Sequence, residues 1–185
     1  MSLSITSNIL KKFTNNNYFV ETGTFTGGGV QIALDSGFKN IRSIEVLEDY
    51  HNAAKRTFGH IDSIKLYLGD TVNILWDVIK DINEPITFFL DSHLADGDSR
   101  AKVEVPILLE LDIIKNHPIK THTILIDDRR TFGFASNPGG TVSKEWMAIT
   151  EQMIIDKIMT INSQYVIDYE DTSNARNDLL VAEIR

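Results

Sequence analysis

Short runs of consecutive apolar residues alternate along this chain with longer stretches whose apolar positions recur every third or fourth residue. Side chains alternate across a strand and repeat every 3.6 residues around a helix, so the two patterns read as strands and helices in turn. Strands are predicted at residues 18–23 (YFVETG), 41–46 (IRSIEV), 64–69 (IKLYLG), 86–90 (ITFFL) and 123–126 (TILI). Helices are predicted at 28–36, 48–58, 71–80, 103–116 and 143–160. Val72, Leu75, Trp76 and Ile79 form one helical face, and Ile107, Leu108, Leu111 and Ile114 another. The run ITFFL is the most apolar and predicts a central strand covered on both faces. Two further strands, 165–169 and 179–184, flank a polar segment too short for a crossover helix, which predicts antiparallel neighbours.

Five strand–helix units in alternation predict an α/β fold with a parallel sheet, right-handed crossovers and helices on both faces. No repeat or linker divides the chain, and 185 residues suit one domain spanning 1–185. In such sheets the ligand crevice lies beyond the carboxyl ends of the strands, so the polar residues there are the ones to read.

Composition narrows the chemistry. The chain has no cysteine, which excludes disulfides, thiolate metal sites and cysteine nucleophiles. It has no apolar run near the roughly 18 residues of a membrane span, and its first residues lack a signal core. A cytoplasmic location and no membrane partner are expected. The net charge of −8 repels polyanions, so no nucleic-acid partner is expected and a small neutral or hydroxylated acceptor suits the surface better. Oligomeric state is left open.

The first strand runs into ETGTFTGGG, residues 21–29. Glycines here let the backbone turn sharply and approach a ligand in front of a helix N-terminus. No Lys-Ser/Thr follows, as a phosphate-binding P-loop needs, and the spacing is not the dinucleotide G-x-G-x-x-G. The pattern is E-x-G-x-x-x-G-x-G, with Glu21, Gly23, Gly27 and Gly29 in its slots. A plain turn joining strand to helix is the alternative.

With this motif the chain resembles the class I S-adenosylmethionine-dependent methyltransferases. The resemblance implies a Rossmann-like three-layer sandwich with a seven-stranded, mostly parallel sheet of order 3-2-1-4-5-7-6 and an antiparallel last strand. It implies S-adenosylmethionine as cofactor, held by Glu21, Gly23, Thr24, Gly27 and Gly29 of the loop and by Asp91. Glu45, ending the second strand, would take the ribose hydroxyls, and Asp70, after the third, would lie near the adenine. A solvated strand end is the alternative for Glu45, and a helix N-cap for Asp70.

The fourth strand ends in Asp91-Ser92-His93 and the fifth in Asp127-Asp128-Arg129. In the implied order these strands are neighbours, and three carboxylates in one crevice need a counter-charge. A divalent cation, Mg²⁺ by ligand type, would supply it on Asp91, Asp127 and Asp128. This arrangement resembles the metal-dependent small-molecule and sugar O-methyltransferases, which implies a hydroxyl acceptor on a small molecule or glycan. His93 is the candidate base, with a solvent-facing loop histidine as the alternative. A turn capped by its own side chains is the alternative for Asp127 and Asp128.

Arg100, Arg129 and Arg130 are read as holding an acidic substrate group or balancing the aspartates, although successive residues leaving a strand point apart. Phe132, Phe134 and Trp146 are read as a ligand wall or as core, and Glu104 and Glu110 as helix surface. His51 is read on a surface helix, with His60, His117 and His122 in connections, all four non-catalytic. A metal-free methyltransferase, an inactive nucleotide-binding module and, last, a nicotinamide dehydrogenase compete with the metal-assisted reading.

Overall fold

The computed structural model describes residues 4–93, 101, 103–136 and 140–185. The polar loop 95–100, with Arg100, lies outside the described residues. In chain order the elements are α1 (Ser7–Leu10), β1 (Tyr18–Thr22), α2 (Gly28–Ser36), β2 (Asn40–Glu45), α3 (Glu48–Phe58), β3 (Ile64–Leu68), α4 (Thr71–Ile79) and β4 (Ile86–Leu90). They continue with α5 (Ile107–Asn116), β5 (Thr123–Ile126), α6 (Lys144–Ala148), α7 (Glu151–Ile161), β6 (Val166–Glu170) and β7 (Leu179–Glu183). The seven strands form one sheet of order β3-β2-β1-β4-β5-β7-β6. Strands β1 to β5 pair in parallel, and β7 runs antiparallel to both β5 and β6.

Alternation along the strands divides the apolar side chains between two layers. Phe88 and Leu90 of β4 point into a core closed by Leu75, Leu111, Ile114, Ile154 and Ile158 of α4, α5 and α7. Phe89, between them, points the other way, to Leu10, Val30, Ala33 and Phe58 of α1, α2 and α3. Burying each such side chain contributes about 1.5–3 kcal/mol, so β4, buried at every position, anchors both layers.

Four local departures from the periodic reading have physical causes. Pro106 is the N-cap of α5, so the helix starts at Ile107 and leaves 103–106 outside it. The predicted helix 143–160 is two helices, because Ile149 is extended and Thr150 caps α7 by accepting the Met153 N–H. Trp76 is 40% exposed, and Val78 takes its place on the buried face of α4. The short α1 went unread, because four residues carry no periodicity; Thr6 caps it. Among the described residues no helix is long and apolar enough to cross a membrane.

Three histidines read as surface or connection are buried: His51, His117 and His122. His122, beneath the amino end of β4, accepts the Ile86 N–H at 3.1 Å on Nδ1. Its Nε2 finds no partner among the described residues, and its ring lies 4.8 Å from that of His117. Burial first, and then the neighbouring His117, push the His122 pKa down to about 3. The folded state therefore keeps this ring neutral while an unfolded histidine charges at about 6.5. Stability should fall as pH drops from about 6.5 to about 3, with a slope from this group of up to about 1.4 kcal/mol per pH unit. In His122→Gln, which keeps an acceptor for Ile86, urea titrations across that range should show the acid slope reduced.

Candidate functional site

The carboxyl ends of β1, β2, β4 and β5 bring the candidate residues to one edge of the sheet. At the first end, Gly23 adopts φ +92°, and a Cβ there would meet the Asp91 carbonyl oxygen at 2.4 Å. The Asp91 N–H in turn donates to the Thr22 carbonyl at 3.1 Å. The glycine loop and the start of the acidic segment are therefore in direct backbone contact. A Cβ on Gly27, also at positive φ, would meet the Phe58 ring at 2.5 Å, and one on Gly29 would meet Glu21 Oε1 at 1.7 Å. Each of the three makes room for the protein's own atoms, and the loop conformation is the result.

Behind the loop, Glu21 is buried and accepts a hydrogen bond from Ser43 Oγ at 2.6 Å. Ser43 Oγ also lies 2.6 Å from Thr24 Oγ1, so a hydroxyl chain ties the acid to the loop. Burial, opposed by the Ser43 hydroxyl and reinforced by Glu45, pushes the Glu21 pKa up to about 8. Glu45 is 6% exposed, not a solvated strand end. Its Oε2 accepts the Phe25 N–H at 2.7 Å and its Oε1 the Leu47 N–H at 2.8 Å. Asp70 is the N-cap of α4, accepting the Val72 N–H at 3.1 Å.

The acidic trio read from the sequence divides between two groups that share Asp128. In one, ligand atoms of Asp91, His93 and Asp128 lie within 4.8 Å of one another; in the other, those of Asp127, Asp128 and Asp178 do. His93 Nε2 stands 3.0 Å from Asp128 Oδ2 and 3.3 Å from Asp91 Oδ1. Its side chain is 4% exposed and packs edge-on against Trp146, so it is not a solvent-facing loop histidine. Asp128 takes φ +53° at a tight turn, and its side chain caps nothing there. Its Oδ1 accepts from Arg130 at 2.5 Å, and the same guanidinium nitrogen bonds Asp178. Arg129 turns away, pairing with Glu151 at 2.9 Å and covering the Tyr169 ring.

These partners split the acids electrostatically. His93 and Arg130 hold Asp128 below the usual carboxylate range against the penalty of its burial. Burial and then the Asp128 charge push Asp127 up to about 6. Asp127 Oδ2 accepts from Ser4 Oγ, while its Oδ1 is buried without a partner among the described residues. Asp91 is raised by its place at the crevice floor and then by Asp127 and Asp128, although a third of its side chain (32%) stays open to solvent.

Several residues here escaped the sequence reading. Glu110 is not helix surface: it is 1% exposed and accepts from Ser92 Oγ at 2.7 Å, and burial raises its pKa. Its spacing from Ile107, Leu111 and Ile114 was the available signal. Glu104, ahead of α5, reaches the N-cap of α6 by accepting from Ser143 Oγ at 2.6 Å. Phe132 and Trp146 belong to the core, whereas Phe134 is 62% exposed. Asp178 opens β7, and an antiparallel strand beside β5 must begin where β5 ends. Ser4 had no sequence signal.

No family model matches the sequence, and no curated protein matches it. Solved structures do. The methyltransferase PaMTH1 of Podospora anserina, with S-adenosylhomocysteine bound, superposes with a TM-score of 0.64 at 12% identity over 97% of this chain and 76% of that one. The O-methyltransferase of Bacillus cereus in complex with S-adenosylhomocysteine gives 0.65 at 12% identity over 97% and 78%. DesVI of Streptomyces venezuelae gives 0.60 at 10% identity over 97% and 89%. At such identities the likeness shows the fold: the chain has the Rossmann-like sheet of these structures.

Two outcomes test the geometry. Gly23→Ala should destabilise the fold by about 1–3 kcal/mol, since it adds both a strained φ and a collision with backbone that cannot yield. For Glu21, the unfolded side chain ionises from about 4.5 while the folded one holds its proton to about 8. Its contribution is therefore full below about 4.5 and lost as pH rises through about 8. Thermal unfolding of Glu21→Gln, which stays neutral throughout, should lack that alkaline decline.

Proposed function

We propose that this chain transfers the methyl group of S-adenosylmethionine to a hydroxyl of a small molecule, a sugar or glycan by preference, beside a divalent cation. The observation that carries the reading is the contact of Gly23 with Asp91, which joins a cofactor-type glycine loop to an acidic group within one crevice. The acidic surface favours a neutral hydroxylated acceptor over nucleic acid.

Donor chemistry fits a cation. Asp91, His93 and Asp128 converge to within 4.8 Å, and Asp127 Oδ1 is buried and unpaired among the described residues. Asp91 and Asp128 would hold the ion with Asp127 behind them, and it would supply Lewis acidity toward the acceptor hydroxyl. Bound S-adenosylmethionine supplies an electrophilic methyl group on a sulfonium. Glu45 orients the nucleoside through its remaining lone pairs. His93, fixed by Asp128, receives the hydroxyl proton as the oxygen–carbon bond forms and the carbon–sulfur bond breaks. Trp146 and Phe132 keep water from the ring.

A second reading, methyl transfer without metal, is favoured by the contact of Arg130 with both Asp128 and Asp178. The two separate cleanly. S-adenosylhomocysteine at 100 times its Kd should stabilise the fold by about 2.7 kcal/mol in thermal-shift assays, with or without EDTA. Methyl transfer to a panel of sugars, catechols and oligonucleotides should favour the sugars, stop in EDTA and return with Mg²⁺ or Mn²⁺. Asp128→Asn should mimic the chelator, and His93→Ala should lower kcat by about 10²–10⁴-fold with cofactor affinity intact. Undiminished turnover in EDTA selects the metal-free reading, and binding of NAD in place of the S-adenosyl compounds removes both.

A further inference from the structure

One nitrogen of Arg130 is shared between the two groups of acids. Its Nη1 donates to Asp128 Oδ1 at 2.5 Å and also to Asp178 Oδ2. Among the described residues no other arginine or lysine pairs with these acids, and Arg129 is taken by Glu151 and Tyr169. Both carboxylates are anchored. The Asp128 carbonyl accepts the Thr131 N–H at 2.9 Å and Thr131 Oγ1 at 2.6 Å, which fixes the turn carrying its side chain. Asp178 is fully buried, and it accepts the Arg130 N–H on Oδ1 at 3.2 Å and Thr172 Oγ1 on Oδ2 at 3.0 Å. The Arg130 side chain is 33% exposed, so it is the member of this trio with room to move. A guanidinium keeps its proton at any physiological pH, so it can release a carboxylate only by moving.

We propose that Arg130 is the resident counter-cation of Asp128, displaced when a divalent cation binds there, and that Asp178 is a positioning residue that keeps hold of the displaced guanidinium. This rests on the cation reading above. Both oxygens of Asp128 are engaged, Oδ2 by His93 at 3.0 Å and Oδ1 by Arg130. An ion that takes Asp128 as a ligand therefore meets the guanidinium at the same carboxylate, and two cations at that range repel each other. Asp178, bonded to the same nitrogen, gives the arginine a place to stay. The Asp128 bond breaks and the Asp178 bond remains, so the buried Asp178 charge is never left unpaired. The exchange keeps the acids compensated before and after the ion arrives. It also makes ion affinity depend on Asp178, which acts through Arg130 and not as a ligand.

Titration of the full chain with Mn²⁺, with S-adenosylhomocysteine present and free Mn²⁺ counted by electron paramagnetic resonance, tests this in Arg130→Gln, Asp178→Asn and the double variant. Removing the competitor in Arg130→Gln should lower the Mn²⁺ Kd about tenfold. Asp178→Asn leaves the guanidinium to Asp128 alone and should raise the Kd about tenfold, whereas the double variant should match Arg130→Gln within about twofold. If Asp178 acted by its charge alone, or as a ligand of the ion, its loss would weaken binding equally with and without Arg130. That equal loss, or a Kd in Arg130→Gln no lower than in the wild type, overturns the proposal alone. A second measurement needs no folded variant at position 178. The guanidinium nitrogen resonances of Arg130, assigned by their loss in Arg130→Gln, should shift on saturation of the wild type with Mg²⁺, while those of Arg129 stay in place. Unmoved Arg130 resonances also overturn the proposal. If neither the wild type nor Arg130→Gln binds Mn²⁺, the proposal and the cation reading fall together.

Discussion

The close approach of β1 to β4 where they leave the sheet is the constraint on which the crevice depends. Gly23 has no side chain because the Asp91 carbonyl occupies the place of one. Thr22 answers from the same strand end, taking the Asp91 N–H with its carbonyl at 3.1 Å and its hydroxyl at 3.3 Å. The two strand ends are therefore locked backbone to backbone, with the Thr22 hydroxyl added. Everything else at that edge inherits its position from this lock: the loop ahead of α2, the Glu21–Ser43–Thr24 chain beneath it, and the acids beyond Asp91.

The second organising fact is how the site tolerates so many carboxyl groups. Glu21, Glu110, Asp91 and Asp127 are all driven toward their neutral forms by burial, and three of them accept a hydroxyl: Ser43, Ser92 or Ser4. Asp128 alone is pulled toward its charged form, by His93 and Arg130. Asp128 belongs to both sets of ligand-forming residues. A buried unpaired charge is expensive, and burial shifts each of these acids toward its protonated form.

Periodicity and spacing made the framework legible. Strand alternation, apolar β4 and the short 170–178 connection contained the order of elements and the terminal antiparallel pair, and the glycine motif pointed to the strand order the sheet has. Asp91, His93 and Asp128 were legible as strand-end polar residues in neighbouring strands. What each side chain touches was less so. The glycine pattern did not show what each glycine faces: the Asp91 backbone at Gly23, the Phe58 ring at Gly27 and the Glu21 carboxyl at Gly29 are contacts that only packing reveals. Glu110 hid because a charged residue on a helix is usually solvated, although its phase placed it inward. Arg129 and Arg130 show the same limit, since adjacent cations diverge and only one reaches the acids.

The reversed strand β7 has a consequence for how such a protein can change. Because it runs against β5, the segment 171–178 arrives at the carboxyl edge as a plain hairpin connection, with no helix to support. Through Asp178, Thr172 and the Ser173 amide that bonds the Ser4 carbonyl, this hairpin reaches the acidic group from the side away from the glycine loop. Hairpin connections accept insertions and substitutions more readily than crossovers packed on a sheet. The molecule thus has two separately variable margins around one edge. One, the glycine-loop margin, is fixed by packing that leaves no slack; the other can be rewritten, lengthened or recharged while the first stays as it is.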